Sequence, residues 1–322
     1  MFFEILCGFI AFRLLRRFFG QRDELEIETS DSNALFAVAS RLEKIYSGKI
    51  FVGLRIPDAD TGLRQSIDMV LVTKGEAVVV LVKNLSGFVS VSADGSWICE
   101  GDGRQKSEIL PDPVAETRRW ASILESYLER RGVELPEGYL SWKVLLPNPK
   151  FRTVHSNYFP SEVITYDQWM QLKPEPKSMF SGWIKSALRG GKKEIQESKD
   201  EKLNFVLNTA PMWDRLELKG NNLVLGEFLE FKGKKEDMQA LREIKRSKVS
   251  CIVIQKMRTI GFGPSRLRVL YSTRNYQNEG TSASEWKEIT IGSNIMVVFQ
   301  MEYSSKVRKI KISSIVSLSL SA

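Results

Sequence analysis

With 322 residues, 43% hydrophobic and 27% charged, the chain is long enough for two folded units with sizeable cores. Its three cysteines, Cys7, Cys99 and Cys251, are odd in number, far apart and form no CxxC; this excludes a disulfide framework and a cysteine zinc site, and suits an intracellular, reducing compartment. The net charge of +8 is unevenly placed: residues 201–322 hold 20 Lys and Arg against 12 Asp and Glu, whereas residues 1–200 hold 27 of each. A basic second half is open to nucleic-acid phosphates, to an anionic membrane surface, or to nothing beyond solvent.

Residues 2–12 read Phe-Phe-Glu-Ile-Leu-Cys-Gly-Phe-Ile-Ala-Phe, and Arg13, Arg16 and Arg17 follow. A secretory signal has its basic residues before the apolar run, the reverse of this order. The stretch is short for a bilayer core of about 30 Å. Residues 1–20 are therefore expected to form a hydrophobic helix that is either a tilted or interfacial membrane anchor with a cytosolic body behind it, or a helix packed on the protein's own surface.

Residues 21–31 are polar and acidic and read as a linker. Leu35, Val38, Ala39, Leu42 and Ile45 recur at helical spacing within Ser32–Tyr46. A strand over Lys49–Ile56 ends at Pro57. Ile67–Val72 and Ala77–Lys83 are β-branched strands around a glycine turn, the second apolar enough to be buried on both faces. A further hairpin, Phe88–Ser92 with Trp97–Cys99, turns at Asp94-Gly95. Asp112-Pro113 starts a helix with the apolar stripe Val114, Trp120, Ala121, Leu124, Tyr127 and Leu128, ending near Gly132. Strands at Lys143–Leu146 and Glu162–Thr165 and a short helix at Asp167–Leu172 complete a unit over 32–172. Residues 173–200 read as a helical linker containing an amphipathic stretch, Met179–Leu188, and a basic link, 189–193. Residues 201–322 are β-rich: strands are expected at Arg215–Lys219, Leu223–Phe231, Val249–Gln255, Leu267–Tyr271, Met296–Gln300, Val307–Ile312 and Ile315–Leu320, with a hairpin at Gly220-Asn221-Asn222 and a helix over Glu236–Lys245. A closed barrel is one architecture open to this unit.

The chemistry-bearing pattern lies in the first hairpin. Metal-assisted phosphodiester hydrolysis needs carboxylates to hold Mg²⁺ and a lysine beside the attacking water. Asp68 and Lys83, fifteen residues apart across a tight turn, are presented at one edge of a sheet. The bland alternative is a salt bridge between them. His155 is the only histidine, and a lone histidine is more often a structural or surface residue than a catalyst; Ser-His-Asp catalysis is conceivable, but no GxSxG occurs.

The segment Ile67–Gly87, followed by Asp94-Gly-Ser-Trp97, resembles a NERD (nuclease-related) domain. The whole chain is similar to plant NERD domain-containing proteins, including Gly53-Leu-Arg-Ile-Pro-Asp58 and Pro111-Asp-Pro-Val-Ala-Glu116. The resemblance implies a restriction-endonuclease-like α/β core with a mixed sheet, of the PD-(D/E)xK group, and a Mg²⁺-dependent nuclease ancestry. Asp68 matches the family's metal-binding aspartate, Lys83 its lysine and Asn84 the asparagine after it. Leu81 and Leu35 stand where the family usually has glutamates, and Glu116 takes the place of a glutamine on the following helix. Leucine cannot ligate Mg²⁺, so the resemblance implies a degenerate site: no cofactor is expected, Mg²⁺ only if activity survives, and Asp68 is at most a weak ligand. Three readings stay open: a membrane-tethered binding or scaffold module, a Mg²⁺-dependent nuclease rebuilt with Glu116, and a nucleic-acid-binding protein. The last would use Lys245, Arg246, Lys248, Lys256, Arg258, Arg266 and Arg268, with Tyr271 or Trp286 stacking on bases unless, as strand alternation suggests for Tyr271, they belong to the core.

Overall fold

The computed structural model describes residues 30–100, 107–154, 159–173, 193–257, 266–274 and 286–321. The expected N-terminal anchor over 1–20, the amphipathic stretch Met179–Leu188, His155 and Arg258 lie outside these residues. Among the described residues, no helix is long and apolar enough to cross a membrane.

Helix α1 (Ser30–Tyr46) buries Leu35, Val38, Ala39 and Leu42, the positions its 3.6-residue period selects. Strands β1 (Lys49–Pro57), β2 (Arg64–Thr73) and β3 (Glu76–Val82) follow as an antiparallel meander. The β2–β3 turn is tight because Gly75 adopts φ +93°, which a side chain would strain. Strands β4 (Gly87–Val91), β5 (Trp97–Glu100) and β6 (Glu108–Leu110) belong to a separate four-stranded sheet, completed by Phe151–Arg152 beside β4. Helix α2 (Pro113–Glu129) starts as its sequence dictates: the Asp112 carboxylate accepts from the Val114 N–H at 2.8 Å, and Pro113 stands where no N–H is needed. It leads to β7 (Leu140–Leu145), which pairs parallel to β3, and onward to β8 (Phe151–Arg152), β9 (Val163–Ile164) and the short α3 (Tyr166–Gln171).

The main sheet therefore runs β1-β2-β3-β7-β9 and is mixed. Its two faces are both covered. Val70, Val72, Val79 and Leu81 pack with Trp120, Leu124, Tyr127 and Leu128 of α2; Met69, Leu71, Val78 and Val80 pack with Leu35, Val38 and Leu42 of α1. Double coverage is why β3 reads as an unbroken apolar run. This is the α/β nuclease-like core that the resemblance implied.

Helix α4 (Lys193–Asn208) joins the same core: Leu203, Val206, Leu207 and Ala210 are buried in it. The boundary expected at residue 201 thus falls inside a helix of the first unit, and the β-rich unit begins with β10. That unit contains β10 (Asp214–Leu218), β11 (Asn222–Lys232), α5 (Lys235–Ala240), β12 (Val249–Lys256), β13 (Arg266–Thr273), β14 (Trp286–Gly292), β15 (Met296–Met301), β16 (Val307–Lys311) and β17 (Ile315–Ser319). They form one sheet in the order β14-β13-β12-β17-β10-β11-β15-β16. Among the described residues its end strands do not pair with each other, so the sheet is open where a closed barrel was entertained. Inward residues from both ends, such as Ile291 of β14 and Ile310 of β16, share one core. Strand β14 had no counterpart in the sequence reading. The helix expected over Glu236–Lys245 stops at Ala240 and tightens into a 3₁₀ turn, Leu241–Glu243.

Asp214 anchors this unit. It is 1% exposed, and its carboxylate accepts from the Phe228 N–H (2.7 Å), the Ser321 N–H (2.8 Å) and the Arg246 guanidinium (2.6 Å). One buried acid ties β10, β11, the segment before β12 and the C-terminal residues together.

Candidate functional site

Asp68 lies on β2 opposite an irregularity in β1. Gly53 has φ +71°, and the register passes from Val52↔Met69 to Leu54↔Ile67 with Gly53 and Asp68 between them. Continuing the β2–β3 register beyond Met69↔Val80 puts Leu81 across from Asp68. The Asp68 side chain is folded back on its own sheet: the Val82 N–H donates to Oδ2 at 2.8 Å. Its other oxygen, Oδ1, accepts from the Tyr303 hydroxyl at 3.1 Å. Burial pushes the Asp68 carboxyl up to about 7, and the Glu302 charge pushes the same way; the Val82 N–H, Lys83 and Tyr303 oppose it.

Lys83 sits one step past the end of β3, on the α2 side. Its Nζ is 3.3 Å from Glu116 Oε2, and both side chains are partly exposed. The bland reading of an Asp68–Lys83 bridge is therefore replaced by a Lys83–Glu116 pair, with Asp68 acting on Lys83 only through its charge. An ion pair this accessible contributes about 1 kcal/mol or less. Asn84 donates to Asp31 of α1 (3.3 Å) and accepts from Asn148 (3.1 Å), which adds polar groups to the same sheet edge.

The two family acid positions are apolar and buried. Leu81 is 2% exposed in the α2-side core; Leu35 is 6% exposed in the α1-side core. Among the described residues no group of three or more His, Cys, Asp or Glu side chains is placed to hold a metal ion. Mg²⁺ demands an octahedral shell of oxygens. Asp68 has both oxygens engaged and a raised proton affinity, and its cross-strand neighbour is hydrocarbon. These residues do not fit the ion that the fold family uses.

A second set of residues converges on Asp68 from the β-rich unit, and no sequence pattern pointed to it. The Trp213 indole N–H donates to Ser66 Oγ at 2.8 Å, and Ser66 Oγ donates to the Glu302 carboxylate. The Arg55 guanidinium stacks 4.0 Å from the Trp213 ring centroid and lies 3.4 Å from Glu227. Burial raises the Glu302 carboxyl, against hydrogen bonds from Ser66, Tyr303 and Trp213. Tyr303 lies 235 positions from Asp68, and residues 302–303 read locally only as a turn between β15 and β16, so the sequence carried no signal for the contact.

The basic candidates divide. Arg246 is committed to Asp214, Lys248 pairs with Glu243 at 3.2 Å and Arg268 with Glu288 at 3.0 Å. Lys245, Lys256 and Arg266 are exposed, with no acidic partner within 4 Å among the described residues. Tyr271 is a core residue, 7% exposed, whereas Trp286 is 51% exposed. A group the sequence reading passed over is stronger: Lys306, Lys309 and Lys311 are exposed on or beside the end strand β16, and no Asp or Glu follows Glu302. Lysines on a sheet edge also block strand pairing between molecules.

Comparison with known proteins agrees with this architecture. The family model described as nuclease-related domain, NERD, matches residues 30–147. That span runs from α1 through β7 and contains Asp68, Lys83 and Glu116. No curated protein and no solved structure matches the chain. The protein thus carries a nuclease-related domain over residues 30–147, followed by a β-rich unit outside the matched span.

Proposed function

We propose that this nuclease-related domain is catalytically silent and serves as a binding or scaffold module, tethered to a membrane by residues 1–20. The observation that carries the silent-site reading is the state of Asp68: one oxygen is held by Val82, the other by Tyr303, and Leu81 lies across from it. A hydrocarbon neighbour makes a divalent ion and its charged ligands costly to hold. The tether rests on the apolar run of residues 2–12 with Arg13, Arg16 and Arg17 behind it.

The test is cleavage of single- and double-stranded DNA and RNA by the purified full-length chain with Mg²⁺ or Mn²⁺. The silent-site reading predicts no turnover. Turnover lost in Asp68→Ala and Lys83→Ala would replace it with a nuclease that uses Asp68, Lys83 and Glu116. Fractionation of the chain with and without residues 1–20 tests the tether, which fails if both partition alike.

The second reading is nucleic-acid binding by the basic unit, favoured by the acid-free stretch after Glu302 with exposed Lys306, Lys309 and Lys311. Phosphate contacts make binding fall steeply with salt. No binding at low salt by the full chain removes this reading.

A further inference from the structure

The β-rich unit reaches the surroundings of Asp68 by two routes. First, the connecting segment extends β1: the Arg55 N–H donates to Pro211 O at 2.7 Å, Leu54 bridges Met212, and the Trp213 N–H donates to Gly53 O at 2.8 Å. The positive φ of Gly53 falls at the β1 position that makes this contact, and a Cβ there would lie 3.1 Å from Leu225 Cδ1. Second, the turn after β15 reaches Ser66 and Asp68. The Glu302 N–H is held by Leu225 O at 2.9 Å, its carboxylate by Ser66, and Tyr303 turns back with φ +58° to reach Asp68. A positive φ at a tyrosine is unfavourable locally and persists where surrounding contacts fix it.

We propose that the nuclease-fold surface around Asp68 is a binding site for a tyrosine-bearing turn, occupied in cis by Glu302 and Tyr303, so that the β-rich unit acts as a removable plug over Asp68. The proposal rests on the binding-module reading of this domain. The Tyr303 hydroxyl donates to the carboxylate oxygen that a cation would otherwise approach. The plug is removable because its grip is local: Tyr303 is 73% exposed, with its hydroxyl end engaged while most of the residue faces solvent. Polar contacts of this kind, between Ser66, Trp213, Glu302, Tyr303 and Asp68, exchange for water more readily than a broad apolar seam. Leu225, packed with Leu35 and Met69, keeps the two units attached when the turn lifts.

Hydrogen exchange on the full chain tests this, comparing wild type with Tyr303→Phe, which removes only the hydroxyl. The expected result is exchange about tenfold faster at residues 302–306 and also at Ser66–Asp68 and Val82, with Val78–Val80 in the middle of β3 unchanged. Trp213→Phe, which removes the indole N–H from Ser66, is expected to speed exchange at residues 302–306 from the other route. Wild-type rates at Ser66–Asp68 and Val82 in Tyr303→Phe, or at residues 302–306 in Trp213→Phe, would overturn the plug. Cleavage of nucleic acid by the wild-type chain would instead remove the binding-module reading while leaving the exchange result standing.

Discussion

Restoring an acid at the family's second metal position, by Leu81→Glu, should damage the fold rather than rebuild the site. Leu81 is 2% exposed and packs in the core that holds Trp120, Leu124 and Leu128. Losing its burial costs about 1.5–3 kcal/mol. A carboxyl left there without a partner adds about 1–3 kcal/mol, more when ionised. The sum, about 2.5–6 kcal/mol, is a large share of the roughly 5–15 kcal/mol typical of a native protein. The Asp68 charge beside it raises the cost further above neutral pH. Urea unfolding at pH 5 and pH 8 measures the effect: the variant should be less stable than wild type at both, with the larger deficit at pH 8, where the new carboxyl is driven towards ionisation. A loss below about 1 kcal/mol at pH 8 would refute the reasoning, because it would mean that the position takes up a charge as a solvated metal site does.

Other outcomes follow from named contacts. Arg246→Ala should destabilise the β-rich unit by about 3–5 kcal/mol, because Asp214 would be left as a buried, unpaired charge; a neutral effect in thermal unfolding would return Arg246 to the list of free phosphate-binding candidates. Glu76 is pushed up to about 7 by burial, against its hydrogen bond to Thr73. A raised folded-state value means that stability from this group is present below the ordinary 4.5 and is lost as pH rises through 7, by about 2 kcal/mol between pH 5 and pH 8. Glu76→Gln should remove that part of the slope, and an unchanged difference in unfolding free energy across this range counts against it. Gly53→Ala forces a side chain into φ +71° and towards Leu225, so it should cost about 1–2 kcal/mol and speed exchange at the Trp213 amide; wild-type exchange there would separate the β1 irregularity from docking.

Most of the first unit was legible because its signals are local. The 3.6-residue period of α1, the Asp112-Pro113 start of α2 and the glycine turn between β2 and β3 each act within a few residues. The apolar run on β3 reported burial on both faces correctly. The hairpin at Gly220-Asn221 was legible for the same reason: both residues take positive φ. Strand β14 was not, since its outward Trp286, Lys287 and Glu288 dilute the apolar signal carried by Ile289 and Ile291. The limits of the β-rich unit were misplaced because Leu203, Val206 and Leu207 are apolar at helical spacing whichever core receives them. At the site, Asp68 and Lys83 were found from the hairpin and Leu81 and Glu116 from the family resemblance, yet their partners were not. Whether Lys83 meets Asp68 or Glu116 depends on where α2 lies. Whether Asp68 is open depends on Tyr303, a residue brought in by a long-range packing choice that no periodicity encodes.

The direct test is Mn²⁺ binding to the purified full-length chain, followed by electron paramagnetic resonance and compared with Asp68→Asn. The arrangement around Asp68 predicts that the wild type takes up no more Mn²⁺ than the variant. A well-ordered ion bound by the wild type and lost in Asp68→Asn would contradict it, and would show that oxygen ligands gather at Asp68 despite Leu81 and Tyr303.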